Sequence, residues 1–324
     1  MLDVIINGSS IRIGPRFAVS FHRTLRLPDD GRTYPLPPGL GRFPILTLNA
    51  QLPQRTSADY QGVQALIPMY QREALWLGFN AASWKPNAVK IAIGRVNAIS
   101  GAAMDNILRA DPQDYIVCPD QPWLDGINAG HGAIRQFVAM PLGLGYTVEA
   151  AITEGEKFGG IQITVFEPAP GRFPDEPPPQ AVTSPMGAPH RVAQPMGLGA
   201  GGVMRQKIYP DPYGIDAWDQ DNYGSVDVHI VNSLQFRELT GHEPPPTPID
   251  AKIYTEHGLP WFELYDETKG DLAPSDRLST AKTITARDQE RGETTPEVGS
   301  FEVSETQVKK LTQEEEGSRT DRSS

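Results

Sequence analysis

The stretch Gly160-Ile-Gln-Ile-Thr-Val-Phe166 decides the reading of the fold, because apolar and polar residues alternate from Ile161 to Val165. A period of two puts every second side chain on one face, as a half-buried strand requires. Val89-Lys-Ile-Ala-Ile-Gly-Arg-Val-Asn-Ala-Ile99 and Tyr146-Thr-Val-Glu-Ala-Ala-Ile-Thr153 show the same period. Tyr115–Cys118 and Ala133–Met140 are shorter apolar runs, closed by Pro119 and Pro141. Val203–Tyr209 and Ser225–Val231 add strands further along. Strands recurring with Gly and Pro between them point to a mainly β protein with antiparallel sandwich- or barrel-like units. Helices are expected to be few and short. One is expected over Thr247–Gly258, with Thr247 as N-cap and Gly258 as stop, and another over Ala102–Leu108.

Composition agrees with this class. The chain has 324 residues, of which 31 are Gly and 31 Pro, too many breakers for a helical bundle. Its net charge of -11 argues against a nucleic-acid or anionic-membrane surface. No apolar run approaches the roughly 20 residues of a spanning helix, and Met1–Ser10 has no basic region of a signal peptide. A soluble, cytoplasmic protein is the expectation. A single cysteine, Cys118, excludes an internal disulfide framework.

Four regions follow: a β unit over 1–167, a Pro/Gly-rich linker or excursion over 168–202, a smaller β unit with one helix over 203–270, and an acidic disordered tail over 271–324. Nine of the 35 residues in 168–202 are Pro, which denies that segment a sustained period. The tail holds twelve acidic and eight basic residues and one aromatic, Phe301, so little apolar surface offsets its ordering entropy.

Gly197-Leu-Gly199-Ala-Gly-Gly202 fits the dinucleotide pattern in letters only. No strand precedes it and no helix pattern follows, so it reads as a flexible linker end. The densest chemistry lies in 208–224, where Asp211, Asp216, Asp219 and Asp221 interleave with Tyr209, Tyr213 and Trp218. Oxygen ligands in a loop suit Ca²⁺. The EF-hand template is met at Asp219, Asp221 and Gly224 and fails at Tyr223 and Ile230. Rings beside carboxylates equally suit a sugar-binding surface, and a turn packed onto the sheet accounts for the same residues. No other metal site is expected, since the histidines are scattered and lack ligand spacing. Leu259-Pro-Trp-Phe-Glu-Leu-Tyr265 offers Trp261 and Phe262 either to a core or as the anchor of a protein partner or a second copy.

Met69–Trp76, Ala110–Tyr115, Gln121–Gly126, Arg135–Gly143, Ile208–Asp219 and Gly258–Phe262 together resemble a family of uncharacterised microbial proteins of similar length. The resemblance implies one integrated fold over residues 35–265 and carries over no activity, cofactor or site residue. With no nucleophile, phosphate or metal motif, the leading expectation is a non-catalytic binding or assembly protein. The alternative is a hydrolase acting on a polar substrate such as a glycan, through a carboxylate-lined cleft.

Overall fold

The computed structural model describes residues 1–48, 63–130, 132–153, 155–176, 195–247, 249–263, 269–293 and 299–310. Val4–Asn7 (β1), Ser10–Ile13 (β2) and Phe17–Thr24 (β3) form an antiparallel meander. Thr33–Tyr34 (β4), Gly39–Arg42 (β5) and Leu46–Thr47 (β6) are short. Val63–Met69 (β7), Ala74–Asn80 (β8) and Asn87–Ile93 (β9) are longer, and Val96–Asn97 (β10) turns back on β9. Ile116–Cys118 (β11), Trp123–Leu124 (β12) and Gly126–Gly130 (β13) lead into Ala133–Pro141 (β14). Helix Val148–Ile152 (α1) precedes Ile161–Pro168 (β15). Pro195–Arg205 (β16) and Trp218–Asn232 (β17) run into helices Ser233–Thr240 (α2) and Ala251–Glu256 (α3). Trp261–Glu263 (β18), Asp276–Ser279 (α4), Ile284–Arg291 (α5) and Val308–Lys310 (β19) complete the described chain.

Strands β1 to β17 belong to one large sheet, antiparallel except where β7 pairs with β17 and β4 with β16. One half runs β1–β2–β3–β8–β14–β16. The other runs β7–β17–β15–β9, with β10 and β11 on β9. They join where Pro195 and Met196 of β16 meet Val231 and Ile230 of β17. Alternate residues of both halves enter one core: Phe17, Val19 and Phe21, Leu75 and Leu77, Ile161, Ile163 and Val165, Val226, Val228 and Ile230. Burying each such side chain contributes roughly 1.5–3 kcal/mol. Strands on either side of 168–202 are therefore neighbours in the same sheet. Of that segment, 177–194 lie outside the described residues.

Several local expectations change. Tyr146–Thr153 is not a strand but holds α1, because the Thr147 hydroxyl caps the Ala150 amide at 3.1 Å. The Val89–Ile99 run breaks at Gly94 and Arg95, whose φ values of 55° and 65° make the tight turn between β9 and β10. Ala102–Leu108 forms no helix and crosses the sheet as a loop. The helix expected over Thr247–Gly258 starts at Asp250, whose carboxylate caps Lys252, and stops before Gly258 at φ 68°. Residues 197–202 lie inside strand β16.

Of the segment read as a tail, 294–298 and 311–324 lie outside the described residues. Its described part contributes α4, α5 and β19, with Leu278, Ala281, Ile284 and Phe301 buried. Asp288 of α5 accepts two 2.8 Å hydrogen bonds from the Arg72 guanidinium. Among the described residues no helix is long and apolar enough to cross a membrane.

Candidate functional site: a polar cleft on the outer sheet face

Residues that alternate with the core positions of β15 and β17 point to the opposite face. Register sets Thr164 beside Ser225 and Gln162 beside Asp227, and places Lys90 of β9 next to Thr164. The two hydroxyls lie 3.0 Å apart. Arg95, in the β9–β10 turn, forms one wall, and Met104, Asp105 and Asn106 of the crossing loop form another. Together they enclose a cleft of about 230 Å³.

The loop is held by charge and by β17. The Lys90 ammonium is fully buried, 2.7 Å from Asp105 and 2.8 Å from Asp114, and donates to the Ile107 carbonyl. Arg109 bridges the same carboxylates, at 2.5 Å from Asp105 and 3.2 Å from Asp114. The Arg109 guanidinium, with Lys90 behind it, holds the Asp105 carboxyl well below the ordinary carboxylate range. The Asp105 carboxylate in turn pushes Arg109 up. Residues of β17 upstream of the cleft complete the anchorage. The Gln220 side-chain oxygen accepts from the Leu108 amide at 2.9 Å, and Asn106 donates to the Tyr223 hydroxyl at 3.3 Å.

At the opposite wall the Gln162 side-chain oxygen accepts from the Arg95 amide at 2.8 Å, and its amide donates to the Gly159 carbonyl at 3.0 Å. The Arg95 guanidinium lies 5.0 Å from the Phe158 ring centre and 3.7 Å from the Asp227 carboxylate. That last distance is ion-pair contact but too long for a direct hydrogen bond. A non-glycine residue at φ 65° is uncommon and costs of order 1 kcal/mol. The turn thus carries a long cationic side chain where glycine is the easier choice.

Of the acidic aromatic segment, Asp211, Tyr213 and Trp218 are brought together. Asp211 accepts from the Tyr115 hydroxyl at 2.6 Å, the Trp218 indole at 2.8 Å and the Tyr213 amide at 2.8 Å. Burial, then Asp211, pushes the Tyr115 phenol up. Asp219 accepts from the Asp221 amide at 3.1 Å. Asp216 is exposed on the short 3-10 turn Ile215–Ala217, and Tyr209 is buried. Trp218 and Tyr213 pack with Phe173 beside the sheet. Among the described residues no three His, Cys, Asp or Glu side chains are grouped so as to hold a metal ion. Trp261 is wholly enclosed: its indole donates to the Thr255 hydroxyl at 3.2 Å and its ring packs on Tyr254 and Phe301. Phe262 is half-buried and exchanges two 2.9 Å backbone hydrogen bonds with Leu36.

Sequence reasoning missed Arg95, Gln162, Thr164, Ser225 and Asp227. Polar residues at outward strand positions are ordinary, so nothing in their pattern marks a site. The one local signal is Arg95, a bulky residue after Gly94 in a two-residue turn. The fold and cleft define a mainly antiparallel β protein with a small polar site on the outer face of its sheet. Set against protein-family models, curated proteins and solved structures, the chain matches none.

Proposed function

We propose that the protein is a non-catalytic binding protein that takes a small polar ligand in the cleft over β15 and β17. The observation carrying this reading is the state of the cleft carboxylates. Asp105 is clamped by Arg109 and Lys90, and Asp227 faces Arg95. Glycoside hydrolysis needs a carboxylic acid kept protonated near neutral pH by an apolar or like-charged setting. A cation-clamped carboxylate is the reverse, so the geometry favours recognition over the glycan-hydrolase alternative. The floor offers hydroxyl and amide groups already held in place by the sheet register, which lowers the cost of ordering them around a ligand. A cytoplasmic setting belongs to the same proposal, supported by a lone cysteine buried as the free thiol.

A thermal-denaturation screen of the full chain against a broad set of small polar compounds tests this. A ligand present at a hundredfold its Kd adds about 2.7 kcal/mol of stability. The expected result is at least one stabilising compound whose effect disappears in Thr164→Val. A hit unaffected by that change would put the site elsewhere. Turnover of a glycan that is abolished in Asp105→Asn would replace binding by hydrolysis.

A further inference from the structure

We infer that Asn7 is a modification site, where the side chain closes on the Gly8 nitrogen to a succinimide and reopens as isoaspartate. The inference is independent of the cleft.

Sequence supplies the first argument. Nine asparagines occur in the chain, and Asn7 alone is followed by glycine. Ring closure brings the side-chain carbonyl carbon against the next main-chain nitrogen, an approach that a Cβ on the following residue obstructs. Freedom of both reacting groups is the second. Asn7 ends β1, pairs with Ser10 of β2, and leaves Gly8 and Ser9 as the two-residue turn between them. Its side chain is exposed, and among the described residues neither its carboxamide nor the Gly8 amide makes a hydrogen bond. Space around the turn is open, since a Cβ on Gly8 would meet nothing within 4 Å. Other asparagines are held. Asn97 donates to the Asp114 carbonyl and accepts from the Ile99 and Ser100 amides, and Asn128 donates to the Ala273 carbonyl. Asn232, which precedes Ser233, accepts from the Leu234 amide.

The chemistry needs only water and a base. The base takes the Gly8 amide proton, the nitrogen bonds to the Asn7 side-chain carbonyl carbon, and the side-chain nitrogen leaves as ammonia with a proton from water. Water then opens the ring. Opening at the main-chain carbonyl frees that carbon as a carboxylate and routes the chain through the side chain, adding a methylene to the backbone and a negative charge to the turn. The lengthened backbone displaces Gly8, whose carbonyl accepts from the Ile45 amide at 2.6 Å. Conversion thus loosens the hairpin from the segment between β5 and β6.

The full chain, incubated for days in mildly alkaline buffer and then digested with trypsin, provides the test. Met1–Arg12 is released as one peptide in which Asn7 is the only side-chain amide, so an amide-to-acid mass gain there locates the site. The expected result is a converted fraction that grows with time and is mostly isoaspartate, read by isoaspartyl methyltransferase labelling. Gly8→Ala, first shown by its melting curve to be folded, should slow conversion at least tenfold. Asn7→Gln leaves Gly8 in place, closes only the less favoured six-membered ring, and should keep its amide. A peptide that retains its amide, conversion to aspartate alone, or a wild-type rate in either variant would overturn the inference. Hydrogen exchange at the Ile45 amide should quicken at least tenfold in the converted fraction, and equal protection would overturn the link to β5 and β6.

Discussion

Asp105 shows how a single residue acquires its role from its partners. Half-exposed on the crossing loop, it is held ionised by Arg109 and Lys90 and positions the roof of the cleft. Its folded-state pKa lies below its ordinary value of 3.8. A carboxyl depressed in this way adds stability that is fully present above the unfolded pKa and lost as pH falls through the folded one. Stability should therefore decline from about pH 4 downward, and Asp105→Asn should flatten that decline while leaving pH 7 melts lower than wild type. Melting temperatures of both proteins between pH 7 and pH 2 check this, and parallel curves would refute it. The same lesson holds for Asp211 and Glu149. Asp211 is taken up by Tyr115 and Trp218. Glu149 accepts from the Lys157, Phe158 and Gly159 amides. Residue type shows that a carboxylate is available, while its neighbours decide whether it is free to act.

Among the elements, β16 is the most instructive. Its glycines reproduce the letters of a phosphate-binding loop, yet the strand context gives them another purpose. A Cβ on Gly199 would lie 2.9 Å from the Tyr146 carbonyl oxygen and 3.2 Å from Ile284, and one on Gly197 would lie 2.9 Å from Thr147 and Leu142. The missing side chains let the start of α1 and of α5 approach the sheet closely. Gly199→Val is expected to cost about 1–3 kcal/mol by overpacking. Urea denaturation measures it, and an unchanged midpoint would show that α5 does not pack as described. The strands over Gly160–Phe166 and Ser225–Val231 were legible because apolar and polar side chains alternate along them, although in the fold both faces are covered and Gln162, Thr164, Asp227 and His229 are buried. Helix α1 was not, because Thr147 and Glu149 satisfy backbone amides that an alternation pattern does not reveal.

Across the whole molecule, long-range polar contacts fasten the C-terminal helices to the sheet. Asp288, on α5, accepts from Arg72 and from the Tyr146 hydroxyl, the latter at 2.6 Å, and is almost fully buried. Arg135 donates to the Ala281 carbonyl just ahead of the same helix. Removing the carboxylate in Asp288→Ala leaves the half-buried Arg72 guanidinium without this partner, and about 3 kcal/mol of stability should be lost. Limited trypsin digestion should then cut the variant within 276–293 sooner than wild type. Equal cleavage rates would mean that other contacts hold the segment. Low hydrophobicity made these residues read as a tail, since the few apolar side chains that anchor them, Leu278, Ala281 and Ile284, find their partners only on the folded sheet.

The mainly β class and the strands at β9, β14, β15 and the second half of β17 were determined by the sequence alone, whereas β3, β7, β8 and most of β16 were not. That legibility rests on local pattern, above all a period of two. The cleft was decided by tertiary structure. Its groups come from residues 90–109, 162–164 and 225–227, and they meet only in the register that places Thr164 beside Ser225 and Gln162 beside Asp227. That register is set by the energy of packing one shared core, to which every strand contributes and which no single segment encodes.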